Sequence, residues 1–221
     1  ELEAEFEAIA STGSATSSKA RSLSGVEGKK LSPKQRIEAL HAFQEKLGTL
    51  KFLDPACGSG NFLTETDLSI RRLENKVISM LNNGEKVLGF DEFIKVKINQ
   101  FYGIEINDFA VTVAKTALWI AESQMMTETE KIIGMNLDFL PLTTNAFIVE
   151  GNALRMDWET LKPIDETVQL NDGLFAGFAT EVDGNEIQYD YIMGNPPFVG
   201  HQWRSKNQQA DMDLVYADFD G

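Results

Sequence analysis

The segment DPACGSGNF, residues 54–62, constrains the fold of this chain more than any other part of the sequence. It follows a short apolar run, residues 50–53, which predicts a β-strand, and it leads into residues 62–81, which predict a long helix. Gly58 and Gly60 permit a tight turn, and the N-terminus of the helix offers unpaired N–H groups to a carboxylate or a phosphate. A strand, a tight turn and a helix in this order predict a parallel α/β unit.

The same pattern continues along the chain. Phe101–Ile106 predicts a second strand, and Asn107 predicts the start of another helix. The buried face of that helix is predicted to carry Val111, Ala114, Leu118, Ala121 and Met125. Residues 147–150 predict a third strand and Tyr189–Met193 a fourth, with a hairpin turn near residue 183. Strands that alternate with helices predict a doubly wound, mainly parallel sheet that is covered on both faces.

The N-terminal part of the chain lacks strand signals. The first ten residues have helical apolar spacing, and residues 11–30, rich in Ser, Gly and basic residues, predict a mobile loop. SPKQ, residues 32–35, has the pattern of a capping box, so a second helix is predicted from there to Gly48. Its apolar face is predicted to carry Ile37, Leu40, Phe43 and Leu47.

The composition excludes several classes of protein. With 43% hydrophobic and 24% charged residues, the 221-residue chain has the composition of a globular protein, and no apolar stretch approaches the roughly 18 residues of a membrane helix. The single cysteine, Cys57, cannot form an internal disulfide, so we expect a reducing, cytoplasmic location. No secretory signal is visible, and the start at Glu1 suggests an excised piece. The net charge of −14 would repel nucleic-acid phosphates.

Two polar residues follow predicted strands. Glu105 ends the second strand, where a carboxylate can accept hydrogen bonds from both hydroxyls of a ribose. Its alternative role is a helix cap or a solvent-facing side chain. Asn152 follows the third strand, where its amide could meet an adenine edge, although an asparagine beside a glycine is also typical of a plain turn.

The segment NPPF, residues 195–198, directly follows the fourth predicted strand. Pro196 and Pro197 donate no backbone hydrogen bonds and hold the chain extended, which fixes the direction of the Asn195 amide. Hydrogen-bond acceptors fixed in this way suit a planar amino group. When they accept from its N–H groups, they favour a pyramidal nitrogen whose lone pair can attack a methyl carbon. Phe198 would stack on the same ring. The alternative is an extended proline loop with a buried phenylalanine.

Taken in order, DPACGSGNF, GIEIN at residues 103–107, GNAL at residues 151–154 and NPPF resemble the motifs of S-adenosylmethionine-dependent DNA methyltransferases that methylate amino groups, usually adenine N6. The chain is most similar to the MmeI-like single-chain restriction-modification enzymes, over nearly its whole length. The resemblance implies an α/β, Rossmann-like class I methyltransferase fold, truncated after the strand of the fourth motif. It also implies two regions: N-terminal helices and a loop at residues 1–48, and a partial catalytic domain at residues 49–221.

The resemblance implies a role for each motif. Asp54 would contact the methionyl amino group of the cofactor, Glu105 its ribose, and Asn152 the amino group of its adenine. The other cofactor-binding residues implied are Ala56, Cys57, Gly58, Gly60, Asn61, Phe62, Ile106 and Ala153. Asn195 and the carbonyl of Pro196 would hold the target amino group, Pro197 would stiffen the turn, and Phe198 would stack on the flipped base. Transfer would be a direct displacement at the methyl carbon, and no metal is implied.

The chain also departs from the family pattern. A cofactor-contacting segment with Tyr-Thr-Ser character should precede the first helix, and the later strands and the target-recognition domain should follow residue 221. We therefore expect double-stranded DNA to be bound mainly by regions outside this chain, which accounts for the acidic charge. The fourth strand would lie at an open sheet edge, which favours self-association there.

Several alternatives stay open. The same asparagine and prolines could grip cytosine N4, an RNA base or a glutamine side chain, or the chain could bind the cofactor without turnover. A nicotinamide-dependent oxidoreductase fits neither the long interval from Asp54 to Glu105 nor NPPF. Cys57 is predicted to be a small filler, and the two histidines, His41 and His201, make no zinc site. The acidic residues near the end of the chain are predicted to be solvated or mobile: Asp211, Asp213, Asp218 and Asp220.

Overall fold

The computed structural model describes residues 1–11, 31–82, 94–137, 146–161, 187–196 and 203–217. The chain divides into two compact units. A helical unit is formed by residues 1–50, 65–100 and 119–144, and a sheet unit by residues 51–64, 101–118 and 145–221. The predicted hairpin turn near residue 183 and nearly all of the predicted loop at residues 11–30 lie outside the described residues. The predicted boundary between residues 48 and 49 stays a prediction.

The sheet unit contains four parallel strands: β1 (Phe52–Asp54), β2 (Phe101–Glu105), β3 (Phe147–Glu150) and β4 (Tyr191–Ile192). Their order is β3-β2-β1-β4, so β4 lies at one edge of the described sheet. The α/β fold with a parallel sheet is thus confirmed. From β1 the chain forms β2 and β3 on one side and returns to form β4 on the other. The direction of winding therefore reverses between β1 and β4.

The fourth strand is shorter than predicted. The backbone N–H groups of Asp190 and Tyr191 both donate to the carbonyl of Lys51, at 3.0 and 3.1 Å. Because two donors share one acceptor, the regular ladder begins only at Tyr191. It continues with the N–H of Met193, which donates to the carbonyl of Leu53 at 2.9 Å.

Aromatic side chains pack on both faces of the sheet. On one face Phe52 stacks between Phe101 and Tyr191, with ring centroids 5.2 and 5.4 Å apart. On the other face Tyr102 packs against Phe147, at 4.9 Å. Alternate residues of a strand point to opposite faces, so this arrangement follows from the sequence of each strand. The buried residues of the second face are Leu53, Tyr102, Ile104 and Leu161.

Five helices lie within the described residues: α1 (Leu2–Ser11), α2 (Pro33–Thr49), α3 (Asn61–Leu81), α4 (Asp108–Ile133) and α5 (Lys206–Val215). Three-residue 3-10 turns occur at Ile98–Gln100, Ala153–Arg155 and Trp158–Thr160. The predicted buried face of α4 is confirmed, since all five of its residues are buried. None of the helices in the described ranges is long and apolar enough to cross a membrane.

Helix α2 begins with the predicted capping box, in which Ser32 accepts from the N–H of Gln35 and the Gln35 side chain accepts from the N–H of Ser32. Its buried face differs from the prediction at one position, because Ile37 is 44% exposed. Gln44 is buried on this helix in addition to the apolar residues, and its Nε2 donates to Glu74 Oε1 at 3.1 Å. A polar residue takes this position because its partner is a buried carboxylate.

The helical unit encloses a cluster of charged side chains. Arg71 is fully buried, with Nη1 2.5 Å from Glu74 Oε2 and Nε 3.5 Å from Glu122 Oε2. The second oxygen of Glu74 accepts from the backbone N–H of Lys95 at 2.6 Å. Asp67 is also fully buried, and neither of its carboxylate oxygens has a hydrogen-bond partner among the described residues. The apolar spacing of α3 gave no indication of this cluster.

Candidate cofactor and catalytic site

Each of the four sequence motifs has described residues at the carboxyl end of one strand. In open α/β sheets, ligands bind in the crevice outside these ends, at the point where the strand order reverses. Here that point lies between β1, which ends at Asp54, and β4, which is followed by Gly194 and Asn195. The first and fourth motifs therefore flank the place where this kind of sheet binds its ligands.

Asp54 is 1% exposed at the end of β1. Its Oδ1 accepts a hydrogen bond from the backbone N–H of Ala56 at 3.0 Å, whereas its Oδ2 is buried without a partner among the described residues. Burial raises the pKa of Asp54, the Ala56 N–H partly offsets that rise, and the charge of Glu105 adds to it. A buried carboxylate oxygen without a donor is costly, so this atom is suited to a ligand that carries a donor or a positive charge.

Gly194 brings the segment after β4 against Asp54. A Cβ atom added at Gly194 would lie 2.6 Å from Asp54 Oδ1 and 3.7 Å from Pro55 Cδ. Since 2.6 Å is shorter than a carbon–oxygen contact allows, no residue other than glycine fits without a shift of the carboxylate. The residue that directly precedes the fourth motif thus lies against the first motif, although the two are far apart in the sequence.

Glu105 ties the glycine-containing loop to the end of β2. Its Oε2 accepts from the N–H of Gly58 at 2.9 Å, and its Oε1 accepts from the N–H of Asn107 at 3.0 Å. Gly58 and Gly60 have φ angles of 55° and 80°, as expected for the predicted tight turn. Each oxygen of Glu105 keeps a lone pair that can accept from a ligand hydroxyl. The structural role considered for Glu105 and a ligand-binding role are therefore compatible.

Cys57 lies inside this loop as a buried, uncharged side chain. It is 6% exposed, and its N–H donates to the carbonyl of Ile104 at 3.0 Å. Burial, together with the charges of Asp54 and Glu105, raises the pKa of the Cys57 thiol to about 12. The thiol is therefore protonated at neutral pH and is not a nucleophile, which agrees with its prediction as a filler.

Asn152 has both ends of its side-chain amide engaged. Its Oδ1 accepts from the backbone N–H of Leu154 at 3.0 Å, and its Nδ2 donates to Asp211 Oδ2 at 2.8 Å. Arg155 donates to Asp211 Oδ1 through Nε and Nη2, both at 2.6 Å. The prediction of a solvated or mobile Asp211 is wrong, because this aspartate is 6% exposed and lies on helix α5, where it is held by two partners.

The other predicted site residues differ in exposure. Phe62 and Ile106 are 48% and 70% exposed. Ala153 is half-buried and packs against the core of the second sheet face. Ala56 is half-buried, and Asn61, the first residue of α3, is exposed, as are Asn195 and Pro196. Pro197 and Phe198 lie outside the described residues.

Sequence reasoning missed the contact of Arg155 and Asn152 with Asp211. The capping box of α5, formed by Ser205 and Gln208, is visible in the sequence and predicts a helix start. No local pattern indicates which face of that helix is buried, because α5 has few apolar residues. The burial of Asp211 depends on residues more than fifty positions earlier in the chain.

The sequence matches the family described as the DNA-methyltransferase domain of MmeI, over residues 29–220. DNA methyltransferase A of Bacillus subtilis (strain 168) is 37% identical over 173 residues, which make up 77% of this chain and 17% of that protein. A putative type II restriction enzyme and methyltransferase of Methanocaldococcus jannaschii is 34% identical over 82 residues, 37% of this chain and 7% of that protein.

The fold has a counterpart among solved structures. The type IIL restriction-modification enzyme MmeI, solved in complex with DNA, matches with a TM-score of 0.71 and 30% identity, over 100% of this chain and 23% of that one. The chain thus spans less than a quarter of the length of each of these relatives. The motifs at the sheet edge, the fold and the sequence matches lead to one conclusion: the chain belongs to the family of MmeI DNA-methyltransferase domains.

Proposed function

We propose that this chain binds S-adenosylmethionine at the carboxyl edge of its sheet, and that the complete protein transfers the methyl group to N6 of an adenine in DNA. The observation that carries the proposal is the buried Oδ2 of Asp54, which has no hydrogen-bond partner within the part of the chain that the structure describes and lies beside Gly194 at the reversal of the sheet. Membership of a DNA-methyltransferase family supports the reaction class.

The residues at the sheet edge fit this cofactor. Asp54 Oδ2 pairs with its ammonium group, and the remaining lone pairs of Glu105 accept from its ribose hydroxyls. Asn152 accepts from the amino group of its adenine, and Ile106, exposed after β2, covers the ring. The neighbouring positions that complete the site are Ala56, Cys57, Gly58, Gly60, Asn61, Phe62 and Ala153. When bound, the cofactor supplies an activated methyl group on a positively charged sulfur.

Asn195 and Pro196 hold the target amino group. The amide oxygen of Asn195 and the carbonyl of Pro196 accept its two hydrogens, which makes the nitrogen pyramidal and frees its lone pair. Both residues are exposed and follow β4 directly, next to the Gly194 contact with Asp54. The stiffening role of Pro197 and the stacking role of Phe198 are part of the same proposal.

Other parts of the complete protein supply most DNA contacts in this proposal. The net charge of −14 disfavours phosphate binding by this chain alone, whereas the MmeI structure was solved with DNA. A restriction-modification role, a cytoplasmic location and self-association through the edge strand β4 belong to the same proposal. The competing functions are methylation of cytosine N4 or of another planar nitrogen, and cofactor binding without turnover. The test has to separate these from adenine methylation.

Calorimetry with S-adenosylhomocysteine tests the cofactor site. In the complete protein, Asp54→Asn is expected to weaken binding about tenfold to a hundredfold, because a charged hydrogen bond to the ligand amino group is lost. The matched control is Asp213→Asn, an exposed aspartate of the same unit, which is expected to bind as the wild type. Protonation of Asp54 removes the charge that pairs with the ligand, so binding to the wild type should also weaken as the pH falls. Because the pKa of Asp54 is raised, this weakening should begin at a higher pH than for an aspartate with the usual pKa. Equal affinities of Asp54→Asn and wild type would contradict the proposed site.

The methyl acceptor is identified in the same preparation. Transfer of a labelled methyl group to DNA, followed by nucleoside analysis, is expected to give N6-methyladenine with the wild type. With Asn195→Ala, the yield of N6-methyladenine is expected to fall about a hundredfold or more. N4-methylcytosine as the product would replace the adenine assignment. Binding of the cofactor without any methylated nucleoside would favour a binding module.

A further inference from the structure

Helix α5 contributes a buried carboxylate to the segment after β3. Asp211 is 6% exposed, accepts from Asn152 Nδ2 at 2.8 Å and accepts from Nε and Nη2 of Arg155 at 2.6 Å. The hydrogen bonds from Arg155 and Asn152 lower the pKa of Asp211, so the group is ionised at neutral pH. Its two oxygens can then only accept hydrogen bonds.

This carboxylate decides which way the amide of Asn152 points. A side-chain amide has a donor end and an acceptor end of nearly equal size, and only its neighbours distinguish them. Asp211 accepts only, so it requires the NH2 group of Asn152, and the N–H of Leu154 donates only, so it requires the oxygen. The flipped amide would place two donors against each other at Leu154 and two acceptors against each other at Asp211.

We propose that Asp211 is a positioning residue, which holds the amide of Asn152 so that its oxygen accepts from the 6-amino group of the cofactor adenine. The proposal rests on the proposed function, because it takes Asn152 as an adenine contact. Asn152 Oδ1 has one lone pair left after the bond from Leu154, and this lone pair receives the amino group. Arg155 holds the carboxylate in place from the other side.

The proposal predicts that the residues at positions 152 and 211 can be exchanged for one another. Aspartate at position 152 needs no orientation, because both of its oxygens accept, but it would face the carboxylate of Asp211 across the present 2.8 Å contact. Asn152→Asp alone is therefore harmful. Combined with Asp211→Asn, it recreates the hydrogen bond with donor and acceptor exchanged.

The test is calorimetry on the complete protein with S-adenosylhomocysteine and with S-inosylhomocysteine, in which a carbonyl oxygen replaces the 6-amino group. Asp211→Ala is expected to weaken binding of S-adenosylhomocysteine about tenfold and to leave the inosine analogue within about twofold. Asn152→Asp alone should show a similar loss, and the pair Asn152→Asp with Asp211→Asn should recover to within about threefold of the wild type. Asp213→Asn, on the same helix but exposed, is the control.

The outcomes separate the two proposals. A wild type that does not bind S-adenosylhomocysteine overturns the proposed function and this inference with it. A wild type that binds, combined with equal losses for both ligands in Asp211→Ala or no recovery in the pair, overturns the positioning role alone. If Asp211→Ala does not fold, as judged by its thermal melt, the exchanged pair decides, since it retains a hydrogen bond at this place.

Discussion

The helical unit and the sheet unit each bury an aspartate with an oxygen that has no hydrogen-bond partner among the described residues. Asp67 in the helical unit is 0% exposed and lacks partners on both oxygens, whereas Asp54 in the sheet unit is 1% exposed and lacks one on Oδ2. Burial alone therefore does not distinguish them. Their surroundings do.

Asp67 lies among other buried charges. Burial and the charge of Glu122 raise its pKa to about 8, and Arg71 only partly opposes this rise. Arg71 is already paired with Glu74, at 2.5 Å, and with Glu122, at 3.5 Å. A proton therefore neutralises Asp67 at neutral pH.

Asp54 instead lies at the edge of a sheet. Gly194, which follows β4, lies against Asp54 and has no side chain to cover the carboxylate, and the group that donates to Asp54 Oδ1 is the backbone N–H of Ala56 rather than a cation. A buried charge can thus be neutralised within the protein or left for a ligand. The second solution marks the candidate site.

The largest effect is expected in the buried charged cluster around Arg71. Arg71→Met removes the only arginine of this cluster and leaves buried carboxyls without a counter-charge, so the free energy of unfolding is expected to fall by about 3–5 kcal/mol. Denaturant unfolding measures it. The matched control is Arg72→Met, its exposed neighbour on α3, for which a change within about 0.5 kcal/mol is expected. Equal losses for the two variants would show that the cluster does not depend on Arg71.

A smaller effect is expected at the candidate site beside Asp54. Gly194→Ala places a methyl group 2.6 Å from Asp54 Oδ1, so the carboxylate must move, and binding of S-adenosylhomocysteine is expected to weaken about tenfold to a hundredfold. Calorimetry measures this loss. In an Asp54→Ala background the same glycine substitution should cost almost nothing more, because the atom it displaces is absent. Additive losses would mean that Gly194 acts independently of Asp54.

The third prediction is a pH dependence of stability in the helical unit. The folded pKa of Asp67 is raised from 3.8 to about 8, so between these values the folded state holds a proton that the unfolded state releases. Stability from this group is therefore present below about pH 4 and is lost as the pH rises to about 8. Asp67→Asn lacks this loss, so its stability relative to the wild type is expected to rise steadily as the pH increases from 4 to 9. Parallel stability curves from pH 4 to 9 would contradict the assignment.

Much of the sheet unit was predictable from the sequence. The limits of β3 match those predicted, and α3 starts one residue before its predicted start. These predictions succeeded because apolar runs and caps are local features, and the structure keeps them. The shortened β4 was not predictable, because its hydrogen bonds depend on Lys51, which is distant in sequence. Ile37 is exposed although it follows the apolar spacing of α2, and nothing in the structure explains this.

Local sequence patterns were sufficient to predict the order of strands and helices, the glycine turn, whose φ angles are positive, and the position of each motif after a strand. These follow from local conformational preferences and from the alternation of apolar and polar residues. The folded chain alone shows that Gly194 lies against Asp54, that Asp211 accepts from Asn152, and that Glu122 joins Arg71 in the buried cluster. Such contacts join residues far apart in the chain, and their free energy depends on burial and on the neighbouring charges, neither of which exists before the chain is folded.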